Sequence, residues 1–390
     1  MERLKITDAR IVTYDQLVCG DLCIEDGIIA GIDLPEFEAD RIIDARGQFV
    51  APGFIEIHSH GGFGHDYMDC TPEAFTVTPL KHMEHGTTGV LPTLLSADSD
   101  ELYQAIKVYE QVKHYPQEGA QLLGLHLEGP YFSEKQCGAQ DPKYLRNPDR
   151  AEYMKFLEAT DDIRRWSAAP ELPGALEFGR DMAANGILPS IAHSDATYEQ
   201  VLEAFDAGFT HVTHLYSGMS SVHRINAYRH AGVVEAAYLI DGMSVEIIAD
   251  GRHLPASLLQ FVTRFKPLDK IALCTDSMRG AGAKDGEITI LGSLTKGQEV
   301  IVEDQVAKMM DRRAFAGSIA TSDRLVRTMM TLAGCSVVQA VRMASTTPAR
   351  ICGIERKGQI KAGFDADLVI FDNDIKVSKT IIGGKVRYSA

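Results

Sequence analysis

Phe54-Ile55-Glu56-Ile57-His58-Ser59-His60 opens as a short apolar run and closes on two histidines one residue apart. Side chains at i and i+2 of a strand share a face, so both imidazoles can enter one site. Apolar runs of this kind recur down the chain, at 54–58, 88–94, 122–128, 166–170, 188–193, 211–215, 245–250 and 271–276. Most are followed by a helical stretch. Near-continuous apolar strands separated by helices indicate a parallel sheet buried on both faces. Eight such units over about 300 residues predict an α/β fold, a (β/α)8 TIM-like barrel. The rival is an open doubly wound sheet, and no Gly-x-Gly-x-x-Gly follows a strand to support a dinucleotide-binding version of it.

Outward from the barrel the pattern changes. Leu4-Lys5-Ile6, Arg10-Ile11-Val12 and Leu22-Cys23-Ile24 alternate in short steps, with Asp26-Gly27 as a turn signal. The last residues behave alike, through Asp367-Leu368-Val369-Ile370-Phe371 and Lys385-Val386-Arg387-Tyr388. This is antiparallel β patterning. Neither end is long enough to bury a core alone. The expectation is a small β-sandwich domain formed from both termini, 1–50 with 355–390, flanking a barrel over 51–354.

The chain has 390 residues, 45% hydrophobic and 24% charged, ordinary values for a soluble globular protein. No apolar run reaches the roughly 18 residues of a membrane span. The first residues carry charge at once and lack an apolar signal core, which predicts a cytoplasmic protein. Lys and Arg total 39 against 54 Asp and Glu, a net charge of −15. Such acidity gives no general electrostatic reason to bind nucleic acid or an anionic membrane. Seven cysteines without a Cys-x-x-Cys pair read as reduced thiols.

In a (β/α)8 barrel the C-terminal strand ends converge on one mouth. The first strand ends in His58 and His60, the third in Glu128, the fifth in His193, the sixth in His214 and the eighth in Asp276. Six metal-capable residues at five strand ends, all of compatible parity, are hard to obtain from packing alone. His126 lies a layer deeper than Glu128, and His211 has the wrong parity relative to His214. His82, His85 and His114 fall on helical stretches and read as solvated. Imidazole and carboxylate donors suit one or two divalent metal ions, zinc first, with iron or manganese as alternatives. One ion would take His58, His60 and Asp276, the other His193 and His214, with Glu128 between them. Asp276 beside a metal-activated water would serve as general base and then protonate a leaving amine.

These residues and their surroundings resemble the amidohydrolase superfamily, and within it the N-acetylglucosamine-6-phosphate deacetylase family. The resemblance runs through Pro52-Gly53-Phe54-Ile55, Gly124-Leu125-His126-Leu127-Glu128-Gly129-Pro130 and Ala192-His193-Ser194-Asp195. It continues through Thr213-His214-Leu215-Tyr216, Ile248-Ala249-Asp250-Gly251-Arg252-His253, Thr275-Asp276 and Ala316-Gly317-Ser318. It covers nearly the whole chain, and the order and spacing of the pieces make it specific. A glutamate at the end of the third strand, where many amidohydrolases use a carboxylated lysine, is typical of the deacetylase branch. The resemblance implies removal of acetate from an N-acetyl amino-sugar 6-phosphate by metal-activated water, in a homodimer that completes its own pocket.

Substrate contacts implied by the resemblance are Gln140, Ser217, Gly218, Arg229 and His253. The family's Asn-Ala after the sixth strand is Ser217-Gly218 here, so backbone donors survive but the amide side chain does not. Arg229 aligns with the family's phosphate arginine, near the start of a helical stretch at Val233, where free N–H groups favour an anion. The family histidine that positions the acyl carbonyl is Gln140 here, which can donate a hydrogen bond but cannot carry a proton. These departures keep open an amidohydrolase of another N-acyl compound or cyclic amide. A non-catalytic barrel scaffold is the third reading, against which stands the presence of all six metal-capable residues.

Overall fold

In the computed structural model, which describes residues 2–390, eight parallel strands wind around a barrel. They are β1 (Phe54–Ser59), β2 (Thr87–Leu94), β3 (Leu125–Glu128), β4 (Ile163–Ala168), β5 (Leu188–Ile191), β6 (His211–Val212), β7 (Ser244–Ile248) and β8 (Ile271–Cys274). Each pairs in parallel with the next, and β8 returns to β1. There Asp276 N–H donates to the His58 carbonyl at 2.8 Å, and Ser59 bridges Ser277. A helix follows each strand, from Pro72–Met83 after β1 to Ser322–Leu332 after β8.

Local chemistry starts these helices where the barrel needs them. Thr197 caps Tyr198–Asp206 by accepting from Gln200 N–H, while the Gln200 side chain accepts from Thr197 N–H. That reciprocal pairing satisfies two otherwise free donors. The inner faces of the helices pack on the strands in one apolar core, which includes Trp166, Phe178, Phe209 and Met329. Trp166 is fully buried and donates its indole N–H to the Gly129 carbonyl at 2.8 Å. The third apolar run is split into two strand segments, Gln121–Leu122 and Leu125–Glu128. Gly124 breaks it at φ +125°, where a Cβ would lie 2.7 Å from the Asp162 carbonyl oxygen.

Both chain ends enter one eight-stranded sheet with its own core, lined by Leu4, Ile6, Ile24, Val50, Leu368 and Ile381. The sheet is mixed rather than purely antiparallel. Arg3–Val12 pairs antiparallel with Leu17–Glu25 on one side, and in parallel with Arg41–Asp44 and Phe49–Pro52 on the other. The intervening strands Leu17–Glu25 and Ile28–Ile32 return the chain in the original direction, which makes the parallel pairing available.

Between β8 and its helix a three-stranded antiparallel insert intervenes, Ile288–Leu291, Gln298–Glu303 and Val306–Met309. Arg279 anchors it, donating to both Asp69 carboxylate oxygens at 2.8 and 2.6 Å and to the Ile290 and Gly292 carbonyls. Among the described residues no helix is long and apolar enough to cross a membrane.

Candidate active site

At the C-terminal mouth of the barrel lies a cavity of about 240 Å3. His60, Glu128, Gln140, His193, His214, Ser217, Gly218, His253 and Asp276 line it. Four histidines converge on Glu128. Its Oε1 lies 3.5 Å from His58 Nε2, 3.3 Å from His193 Nε2 and 3.0 Å from His214 Nε2. Its Oε2 lies 3.3 Å from His60 Nε2 and accepts from Gln140 Nε2 at 2.7 Å. Asp276 Oδ1 stands 3.4 Å from His58 Nε2 and 3.2 Å from His60 Nε2.

The backbone at three of these residues is unusual. His193, His214 and Asp276 adopt φ of +44°, +28° and +48°, immediately beyond their strands. Such conformations cost of order 1–3 kcal/mol each for non-glycine residues and concentrate at functional sites. Neighbours hold the strained turns. The Gln136 carbonyl takes His193 Nδ1 at 2.8 Å, and Ser318 N–H donates to the Asp276 carbonyl. Gly218, at φ +56°, must lack a side chain, because a Cβ would lie 2.7 Å from His193 Nδ1.

Electrostatics fix the charge of both carboxylates. Burial would raise Glu128, but His58 and hydrogen bonds from His193, His214 and His60 hold it well below the usual carboxylate range. Burial likewise opposes ionisation of Asp276, and His58 and His60 outweigh it and lower its carboxyl. Burial would lower His60, yet the Asp276 and Glu128 carboxylates raise it well above its ordinary value. The donor set fits a divalent cation. His58 Nε2 is buried with no hydrogen-bond partner, although it faces two carboxylates. The ligand atoms of His58, His60 and Glu128 lie within 4.8 Å of one another, as do those of Glu128, His193 and His214. A metal among them would satisfy the orphaned nitrogen and oppose the two buried negative charges.

With this geometry, the relatives become interpretable. The amidohydrolase family model matches residues 49–387. The chain is 34% identical to the N-acetylglucosamine-6-phosphate deacetylase of Bacillus subtilis (strain 168), over 99% of this chain and 98% of that one. It is also 34% identical to the N-acetylgalactosamine-6-phosphate deacetylase of Escherichia coli O157:H7, over 94% of each. A mutant Mycobacterium smegmatis N-acetyl-D-glucosamine-6-phosphate deacetylase, solved with N-acetyl-D-glucosamine-6-phosphate, superposes with a TM-score of 0.90 at 29% identity, covering 100% of both chains. The chain belongs to the amidohydrolase family.

In this amidohydrolase the proposed substrate contacts divide. His253 lines the cavity, and its Nδ1 is tied to Asp250 Oδ2 at 2.9 Å, which leaves Nε2 for the cavity. Gln140 is more committed than its sequence suggests. Its Oε1 accepts from Ser96 N–H at 3.2 Å while its Nε2 holds Glu128. Ser217 N–H is taken by the His214 carbonyl at 2.9 Å, so the expectation of two free backbone donors at Ser217-Gly218 is reduced by one.

Arg229 is absent from the cavity lining of its own chain. It sits opposite Arg224 on an exposed hairpin, His223–Ile225 with Tyr228–His230, which projects between β6 and the next helix. That helix start does not offer free donors either. Gly232 N–H donates to Glu235, and Val233 N–H to Ser220 Oγ.

His126 and His211 are buried beneath the site, on Ser167 and Ser244 respectively. His82 is also fully buried rather than solvated, because its helix turns it inward against the Gly61 carbonyl and Ser277 Oγ, both 3.2 Å away. Two further buried charges stand beneath the site, Glu246 inside the seventh apolar run and Arg165 just before the fourth. A charged residue in a strand buried on both faces is the signal that marks each. Leu291 of the insert and Phe315, just beyond its last strand, also line the cavity, and neither carries a signal in the sequence.

Proposed function

We propose that this amidohydrolase removes acetate from N-acetyl amino-sugar 6-phosphates, using one or two divalent ions held by His58, His60, Glu128, His193, His214 and Asp276. The observation that carries the reading is the convergence of four histidine Nε2 atoms and Asp276 on one buried glutamate at the cavity floor. Imidazole nitrogen and carboxylate oxygen fit zinc best, with iron or manganese also compatible. A bound ion supplies Lewis acidity and lowers the pKa of water to about 7.

The protein's own groups do the rest. Asp276, anionic at neutral pH, accepts a proton from the attacking water and delivers it to the departing amine nitrogen, so acetate and free amine leave together. Glu128 stays ionised and would help hold the ion. Gln140 holds Glu128 by one amide N–H, and His253 Nε2 and Gly218 face the sugar. Leu291 and Phe315 give the mouth an apolar wall.

Phosphate recognition falls to Arg229 in a homodimer. The hairpin that carries it exposes Ile225 and Tyr228, with Val222 beside them, an apolar surface suited to a second copy. A partner's hairpin would bring the guanidinium fork to the cavity, where it can bind phosphate bidentately. Seven free thiols suit a reducing, cytoplasmic setting. Acetate release tests the reading, measured for N-acetylglucosamine and N-acetylgalactosamine, each with and without a 6-phosphate. The expected result is a strong preference for the phosphorylated sugars. A preference for the unphosphorylated compounds, or for other N-acyl amides, would overturn it.

A further inference from the structure

Directly beneath the histidine cluster the barrel buries a full ion pair. Arg165 on β4 and Glu246 on β7 are both wholly inaccessible. Arg165 uses all five of its N–H donors. Two reach the Glu246 carboxylate, at 2.5 and 2.9 Å, and the others go to Ser190 Oγ, Thr213 Oγ1 and the Ile57 carbonyl. The two charges therefore compensate each other. Such a pair is weak evidence for stability, because apolar replacements of buried ion pairs are often neutral or better. Its contacts point to another purpose.

Glu246 Oε1 lies 2.7 Å from His58 Nδ1 and accepts from His214 N–H at 3.2 Å. A carboxylate paired to arginine can only accept, so His58 Nδ1 carries the hydrogen. Its opposite nitrogen, Nε2, is then the lone-pair atom, and that atom is the one left buried without a partner while facing Glu128 and Asp276.

We infer that Glu246, charge-balanced by Arg165, is the positioning residue that fixes the tautomer and aim of His58 and thereby sets metal affinity at the His58–His60 half of the centre. The inference rests on the metal-centre reading above. Losing such a carboxylate behind a ligand histidine typically costs 10–100-fold in metal affinity.

Two variants separate positioning from mere support of the fold. Glu246→Asp keeps the charge opposite Arg165 but withdraws the carboxylate from His58. The double variant Glu246→Gln with Arg165→Gln removes both charges but keeps an acceptor for His58 Nδ1–H. Metal is counted by elemental analysis, affinity is measured by competition with a chromophoric chelator, and folding is followed by thermal melting. The expected result is a folded Glu246→Asp protein in which the metal at His58 and His60 binds about 10–100-fold more weakly and the other is weakened far less. The double variant should recover most of that affinity whatever its melting temperature. Equal affinities in wild type and Glu246→Asp would overturn the inference, as would equal weakening of both metals or an affinity that simply follows thermal stability. If wild-type metal content were indifferent to His58→Asn, the metal-centre reading itself would fall.

Discussion

Asp276 carries the sharpest consequence at the scale of a residue. It is anionic, lines the cavity and stands 3.2 Å from His60 Nε2. Asp276→Asn preserves volume and removes the titrating carboxylate. Turnover is expected to fall about 10²–10⁴-fold, the usual range for a positioned acid–base group. Metal content must be measured on the same preparation, because near-wild-type turnover with metal retained would exclude the proton-transfer role. Asp276 and the five other metal-capable residues are legible in the sequence because strand parity and the barrel's single mouth do the sorting. Gln140 is legible only as a departure. Its bond to Glu128 joins a residue of the loop after β3 to the end of that strand, twelve positions earlier, and needs the fold to be seen.

At the scale of elements, the helix Pro72–Met83 and the hairpin after β6 each carry a testable property. His82 on that helix is pushed down to about 4 by burial. Its ordinary value of 6.5 applies when the chain unfolds, so the unfolded state binds more protons between these limits. The stability gained from keeping His82 neutral is complete above pH 6.5 and is lost as the pH falls toward 4. The slope approaches about 1.4 kcal/mol per pH unit. Denaturant unfolding at pH 7 and pH 5 should therefore show a smaller acid loss in His82→Gln than in wild type. An identical loss would refute the assignment.

The hairpin carries Arg229, and Arg229→Ala is expected to raise KM for the 6-phosphorylated sugar far more than for the plain sugar. The lost charge-assisted contact is worth roughly 1.5–3 kcal/mol. Equal effects on both substrates would remove Arg229 from phosphate binding. The eight barrel strands are legible as apolar runs. The hairpin is not, because its short exposed strands carry no hydrophobic period.

For the whole molecule, sequence patterning reaches the barrel and the joining of both termini in one sheet, because each end alone shows strands without a core. The parallel pairings of the first strand are not written in any local pattern, since they depend on where later strands arrive. Function at this scale depends on the metal. The most direct measurement follows acetate release from N-acetylglucosamine 6-phosphate on one preparation before chelation, after chelation, and after refilling with zinc, iron or manganese, with metal counted each time. Activity should vanish with the metal and return with one or two equivalents per chain. Full activity in protein shown to be free of metal would contradict the account.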